Sequence, residues 1–312
     1  MSLLRVGQVL RGKLGQYIVT KQIQETVWFA KNQIKDTVVV KGVEDHPRVA
    51  NERDVLKRFQ NRTPCLRPLI DEIHDPSRPE IIVLRHLDDH LLNSSMTKPL
   101  SRAELKYVAK HVLEALNVLH ENGYVHTDVK PDNVFVNYQE GEIRFSQVQL
   151  GDLGSTCPSS SEIATQGIPI GAPIWTSPEV IMETPWNTAS DIWSFGSMLI
   201  SLIYGGNFNL FRPRTVPYGH EEYNLEVLKQ QFRYFGPFPI KYAEIIGPET
   251  AAAIAYIMHE IPRAQLTPFS CTTEREVSRA DKEFICKIMM MDWRDRPTAK
   301  QLLKDDWFQE ER

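Results

Sequence analysis

The periodicity of the chain changes once, near residue 88, and that change constrains the fold more than any other feature. Before it, short runs rich in β-branched and aromatic residues read as strands: Tyr17 to Ile23, Val27 to Ala30, Thr37 to Lys41 and Ile81 to Leu84. One helical pattern interrupts them. From Pro47 to Phe59, the residues Val49, Glu52, Val55, Leu56 and Phe59 share a face at helical spacing, and Pro47 suits a first turn. Glu52 therefore lies on the packing face. After Pro99 the pattern turns helical, with Ser101 and Glu104 as a capping box ahead of Leu105, Val108, Val112, Ala115, Leu116 and Leu119, and Gly123 as a stop. Val134 to Val136 and Val148 to Leu150 read as short strands around a turn at Glu140 and Gly141. The Ser-, Thr- and Pro-rich segment from Ser155 to Pro178 is a loop whose length suggests function rather than connection. Helical signals resume near Ser190, Leu225, Ala251, Ser278 and Thr298, while Pro and aromatic residues crowd Asn207 to Pro239 and read as surface loops.

The pattern predicts an α+β chain of two lobes, a small β-rich one with a single main helix over residues 1–87 and a larger, mostly helical one over residues 88–312. A length of 312 residues suits one such bilobal unit. Lys plus Arg number 36 against 40 Asp plus Glu, a balance of -4 that points to no polyanion, so a nucleic-acid partner is not expected. Cys65, Cys157, Cys271 and Cys286 show neither CxxC spacing nor a paired His pattern, which argues against a disulfide framework or a zinc site and for a reducing compartment. The opening MSLLRVGQVLRG lacks the apolar stretch of a signal peptide, and the longest apolar run, around Phe195 to Tyr204, falls short of the ~20 residues a membrane span needs. An intracellular protein, cytoplasmic or nuclear and without a membrane partner, is expected. His86, His90 and His111 have no metal spacing, and the six tryptophans are dispersed as core residues are.

The stretch His126-Thr127-Asp128-Val129-Lys130-Pro131-Asp132-Asn133 sets an acid, a base and an amide side by side after the helix stop, and Gly151-Asp152-Leu153-Gly154 follows. Phosphoryl transfer needs a carboxylate that orients the attacking hydroxyl and accepts its proton, and oxygen ligands that hold Mg²⁺ against the phosphates. Asp128 suits the first task. Asn133 and Asp152 suit the second, because magnesium prefers hard oxygen donors and usually takes only one or two protein carboxylates. Lys130 would face the transferring phosphate as a point charge.

On these residues the sequence resembles the eukaryotic protein kinases, whose catalytic loop H-R-D-x-K-x-x-N and metal loop D-F-G match here as HTDVKPDN and DLG. Upstream, Val38-Val39-Val40-Lys41 looks like the family's V-A-I-K strand, and Glu52 matches the partner carboxylate on the following helix. A carboxylate on an apolar helix face wants a buried cation, and Lys41 is the candidate. Downstream, Ser177-Pro178-Glu179 resembles the A-P-E motif and Asp191-Ile192-Trp193-Ser194-Phe195-Gly196 resembles D-x-W-S-x-G. By the resemblance, Arg296 would pair with Glu179, and Asp191 would brace the backbone of the catalytic loop. The order of the motifs is that of the family, and the resemblance covers nearly the whole chain.

The resemblance implies a serine/threonine protein kinase that moves the γ-phosphate of ATP to a protein hydroxyl, with ATP and Mg²⁺ as cofactors and a protein as substrate. Serine or threonine is implied by Lys130, which tyrosine kinases generally lack. Lys41 would hold the α- and β-phosphates, Glu52 would position Lys41, Asp128 would orient the acceptor, Lys130 would offset developing charge, and Asn133 with Asp152 would ligate Mg²⁺. Val27 and Val39 would lie over the adenine, Phe135 would form its floor, and the hinge from Arg85 to Leu87 would bind it by backbone groups.

Three departures stand out. The glycine-rich loop should fall between Ile23 and Val27, where the sequence is Gln24-Glu25-Thr26, so fewer backbone amides reach the phosphates and ATP is held more loosely. Val39 replaces the small alanine of the family and narrows the adenine slot. Thr127 replaces the arginine that grips an activation-segment phosphate, which weighs against control by that charge pair. Two alternatives remain: a pseudokinase scaffold, favoured by the missing glycines and opposed by the filled chemistry positions, and a small-molecule kinase, opposed by the S-P-E and D-x-W-S-x-G elements.

Overall fold

In the computed structural model, which describes residues 3–44, 46–73 and 79–309, the small lobe is built on alternation. The strands β1 (Val9–Arg11), β2 (Gln16–Gln24), β3 (Val27–Lys31), β4 (Thr37–Gly42), β5 (Leu69–Ile73) and β6 (Ile81–Arg85) form one antiparallel sheet in the spatial order β1-β2-β3-β4-β6-β5. Side chains alternate faces along a strand. Val38 and Val40 therefore join Trp28, Ala30 and Val83 in a core on the outer face, while Val39 packs with Ile82 and Leu84 on the inner one. Lys41 shares the parity of Val39, and its register opposite Val27 and Ile82 carries it to that inner face.

Helix α1 (Arg48–Phe59) covers the inner face with Val49, Glu52, Val55, Leu56 and Phe59, the set the spacing predicts. The sheet also curls until its two outer strands meet. Gly12 bridges Ile73, and the buried Asp71 carboxylate accepts from the backbone N–H groups of Lys13, Leu14 and Gly15 and from the Tyr17 hydroxyl at 2.9–3.1 Å.

The large lobe follows a short connection. Strand β7 (Asp89–His90) leads into α2 (Leu91–Thr97) and α3 (Arg102–His120), whose capping box between Ser101 and Glu104 forms as expected. Strand β8 (Tyr124–Val125) precedes the hairpin of β9 (Val134–Tyr138) and β10 (Phe145–Leu150); β7 pairs with β9, and β11 (Cys157–Pro158) pairs with β8. Helices α4 (Glu162–Thr165), α5 (Pro178–Ile181), α6 (Ala189–Tyr204), α7 (Tyr223–Phe235), α8 (Pro248–Glu260), α9 (Arg279–Ile288) and α10 (Ala299–Leu302) complete it. Helix α6 is buried continuously from Ser190 to Leu202, as its apolar circumference requires of a central helix. Among the described residues no helix is long and apolar enough to cross a membrane.

Two sequence expectations are corrected here. Asn207 to Pro239 is not a surface loop throughout: α7 forms at the helical signal near Leu225, and Phe211, Phe232 and Phe238 are buried. The aromatic residues that suggested exposed loops instead pack inward, Phe211 stacked on Trp193 and the half-buried Phe235 edge-on to it. The segment from Ser155 to Pro178 holds β11 and α4 rather than loop alone, and Trp186 Nε1 donates to the Ile168 carbonyl to fasten it.

The Arg296 guanidinium makes a bidentate pair with Glu179, Nη1 to Oε1 at 2.6 Å and Nη2 to Oε2 at 2.8 Å, with both side chains buried. Removing one partner of such a pair strands the other charge out of water, at a cost of about 3–5 kcal/mol. Arg296→Ala should lower the unfolding free energy by about that amount in a denaturant titration. Lys300→Ala, which breaks only an exposed pair with Glu121, should leave the midpoint in place.

Candidate active site

The cleft between the lobes is organised by the Lys41 ammonium. Its Nζ donates to Glu52 Oε2 at 2.7 Å and to Asp152 Oδ1 at 2.5 Å. Glu52 is 1% exposed, so it needs the cation it meets. Burial pulls the Lys41 pKa down, but attraction from Glu52 and Asp152 outweighs it and holds the group above the ordinary lysine value. Burial would likewise raise Asp152, but Lys41 and then Arg48 and His126 hold it below the ordinary aspartate value.

Helix α1 carries a second tie to the segment after β10. Asn51 Nδ2 donates to the Gly154 carbonyl at 3.0 Å and the Thr156 carbonyl at 2.8 Å, and the Leu153 N–H donates to Glu52 Oε1 at 3.3 Å. Neighbouring side chains of one helix thus grip the loop that bears Asp152, which itself adopts left-handed backbone angles, φ 56° and ψ 60°.

Below, the loop from His126 to Asn133 hangs from the first turn of α6. Asp191 Oδ2 accepts from the His126 N–H at 2.7 Å and Oδ1 from the Thr127 N–H at 2.9 Å, while His120 Nε2 lies 2.9 Å from Oδ2. This holds Thr127 at φ 76°, a left-handed conformation that a β-branched residue adopts only under constraint. Asp128 Oδ2 accepts from Lys130 Nζ at 2.7 Å and from Asn133 Nδ2 at 3.0 Å, and the same Asn133 nitrogen donates to the Asp128 carbonyl at 2.8 Å. Asp128 Oδ1 and Asn133 Oδ1 accept no hydrogen bond among the described residues.

The cleft has a volume of about 790 Å³, and Val27, Val39, Lys41, Glu52, Leu87, Lys130, Asn133, Phe135 and Asp152 all line it. Asp128 sits behind Lys130 and Asn133. Arg85 stands apart: its side chain is exposed, its N–H donates to the Pro68 carbonyl at 3.0 Å, and its own carbonyl accepts from Arg67 Nε at 2.8 Å.

A family model for the protein kinase domain matches residues 5–308. The chain belongs to the protein kinase family. It is 34% identical over 119 residues to the serine/threonine-protein kinase pak-2 of Caenorhabditis elegans, a match covering 38% of this chain and 21% of that protein. It is 25% identical over 278 residues to a calcium/calmodulin-dependent protein kinase type 1 of Macrobrachium nipponense, covering 88% of this chain and 66% of that protein. The chain thus spans about a fifth of the length of the first and less than two thirds of the second. In fold it is similar to a chain of the yeast RNA polymerase II CTD kinase CTDK-1 complex, with a TM-score of 0.78 at 20% identity, covering 95% of this chain and 93% of that one.

As a kinase domain, this one departs from its family at the roof of the cleft. The β2–β3 turn is the glycine-free Glu25-Thr26, and the Thr26 carbonyl is engaged by the Gly42 N–H at 3.1 Å. Thr127, where the family often has arginine, uses its hydroxyl to donate to the Ser155 carbonyl at 3.1 Å. Sequence reasoning missed Asn51, which reads as a solvated helix position, and Arg67. The signal for Arg67 was a lone charge in the run Cys65-Leu66-Arg67-Pro68-Leu69.

The depressed Asp152 fixes the sign of one pH effect. As the pH falls, the unfolded chain takes up a proton at this carboxyl near 3.8, before the folded chain does. Stability from Asp152 is therefore complete above about pH 5 and lost as the pH drops through the folded value. Melting temperatures between about pH 5 and pH 3 should fall less steeply for Asp152→Asn than for the wild type.

Proposed function

We propose that this kinase-family chain transfers the terminal phosphoryl group of a nucleoside triphosphate to a serine or threonine hydroxyl of a protein. The observation that supports it is that Lys41, Asp152, Asn133 and Lys130 line one cleft, Lys41 paired with Asp152 and Glu52, and Lys130 and Asn133 together holding Asp128 Oδ2. The relatives named as serine/threonine kinases, and Lys130 itself, favour hydroxyl acceptors of that class. The cysteines are free thiols, which suits an intracellular setting, cytoplasmic or nuclear.

Asp128 presents Oδ1 to the acceptor hydroxyl, orients it and takes its proton, while Oδ2 is held by Lys130 and Asn133. Lys130 offers its charge to the phosphoryl group in flight, and Lys41, fixed by Glu52, steadies the phosphates that remain. Family membership implies ATP and Mg²⁺. The donor set fits magnesium: Asn133 Oδ1 and the Asp152 carboxylate are hard oxygens, few in number, and would hold the ion, which when bound neutralises phosphate charge. Val27 and Val39 above, Phe135 below and the backbone at Leu87 enclose the base.

A scaffold that turns over no nucleotide is the competing reading, and the glycine-free turn favours it. Incubation with Mg²⁺, a generic protein and γ-labelled ATP or GTP separates the two. The wild type should label itself or the protein, and Asp128→Asn should lose about 10²- to 10⁴-fold in rate. Equal label in both samples removes the catalytic assignment.

A further inference from the structure

The base end of the cleft contains a charge that nothing in the phosphotransfer chemistry uses. Arg67 is 7% exposed, lines the cleft, and holds its guanidinium carbon 4.1 Å from the centroid of the Phe135 ring. Its Nε donates to the Arg85 carbonyl at 2.8 Å, and its two terminal nitrogens make no hydrogen bond among the described residues. Gly151 makes room for this arrangement. A Cβ there would lie 2.8 Å from Phe135 Cε2 and 3.2 Å from Arg67 Cδ. Burial brings the Arg67 pKa down to about 10, with Glu52 and Asp152 pulling the other way, so the group is still a cation at neutral pH.

The guanidinium therefore engages the two features that the hinge-and-floor reading gives to adenine: the first hinge carbonyl and the ring beneath the base. Adenine carries an amino group at position 6 and needs an acceptor there. In this slot it would meet N–H groups and a carbonyl that already accepts from Arg67 Nε and is a poorer acceptor for it. A purine with an oxygen at position 6 presents O6 and N7, two acceptors side by side, which match the forked donors of a guanidinium.

We propose that Arg67 sets the base specificity of the cleft, selecting a 6-oxopurine nucleoside triphosphate such as GTP over ATP. The inference rests on the phosphotransfer reading of the same cleft. A base that closes over the terminal nitrogens of Arg67 takes them out of water, and donors then left without a partner reject a ligand far more strongly than exposed donors do.

The test is titration calorimetry of the full chain with Mg²⁺ and GTP, ITP or ATP. ITP carries the oxygen at position 6 without the 2-amino group of guanine, so it isolates the edge that Arg67 would read. The wild type should bind GTP and ITP about tenfold or more tightly than ATP. Arg67→Leu should abolish that preference and tighten ATP, and Arg67→Lys, which keeps the charge without the fork, should retain only part of it. Tighter binding of ATP than ITP by the wild type, a preference unchanged in Arg67→Leu, or no binding of any of the three overturns the proposal. The wild-type comparison needs no variant to fold. Asp128-dependent transfer without the 6-oxo preference defeats this inference alone, whereas 6-oxopurine binding without transfer defeats the catalytic reading alone.

Discussion

The Lys41 ammonium is the point on which both lobes turn. A cation in that position is tolerated only because Glu52 from α1 and Asp152 from the loop after β10 both reach it, and each carboxylate is tolerated for the same reason. Removing any one of them leaves the others paired badly, most of all the fully buried Glu52. The group therefore couples three separate elements: the central sheet, the helix laid across it, and the loop of the other lobe. Asn51 runs a neutral version of the same connection in parallel, so the position of the helix does not rest on charge alone. Arg67 and Arg48 add to the positive charge around these carboxylates, Arg48 with Nη2 3.7 Å from Asp152 Oδ2 and Arg67 attracted by both Glu52 and Asp152.

Much of this was legible in the sequence because it is written locally. Lys41 follows from alternation in one strand, Glu52 from the spacing of one helix, and the cluster at Asp128, Lys130 and Asn133 from a single short stretch. What escaped was written across the chain. Asn51 is one residue from Glu52 and looks like a solvated amide until the loop at Gly154 is brought against it. Asp71 lies in β5, whose acidic residues hid the strand, and its partners are about 55 positions away in a turn that local pattern cannot connect to it. Helix α7 was signalled near Leu225, but the prolines that flank it hid the burial of its surroundings, where Val227, Leu228, Gln231 and Phe232 form a buried face.

The loop from His126 to Asn133 illustrates how strain is held in place. Thr127 keeps an unfavourable backbone conformation because Asp191 binds two successive N–H groups from beneath, and α6 that carries Asp191 is the most deeply buried helix of the lobe. The same helix is reached from the other side by Arg296, which donates to the Ala189 carbonyl at 3.0 Å while pairing with Glu179. The loop that carries Asp128 is thus braced by a core that extends to the last helices of the chain.

The closure of the small sheet onto itself has a consequence for how other molecules approach. With Gly12 bridged to Ile73 and the turn after β1 clasped around Asp71, the backbone N–H groups of Gly12, Lys13, Leu14 and Gly15, at the corner where β1 and β5 meet, are all engaged internally. A visiting polypeptide cannot extend the lobe there by adding a strand of its own. Recognition at that corner has to be made through side chains, and the ribbon-to-ribbon growth that threatens open sheets is denied a starting place.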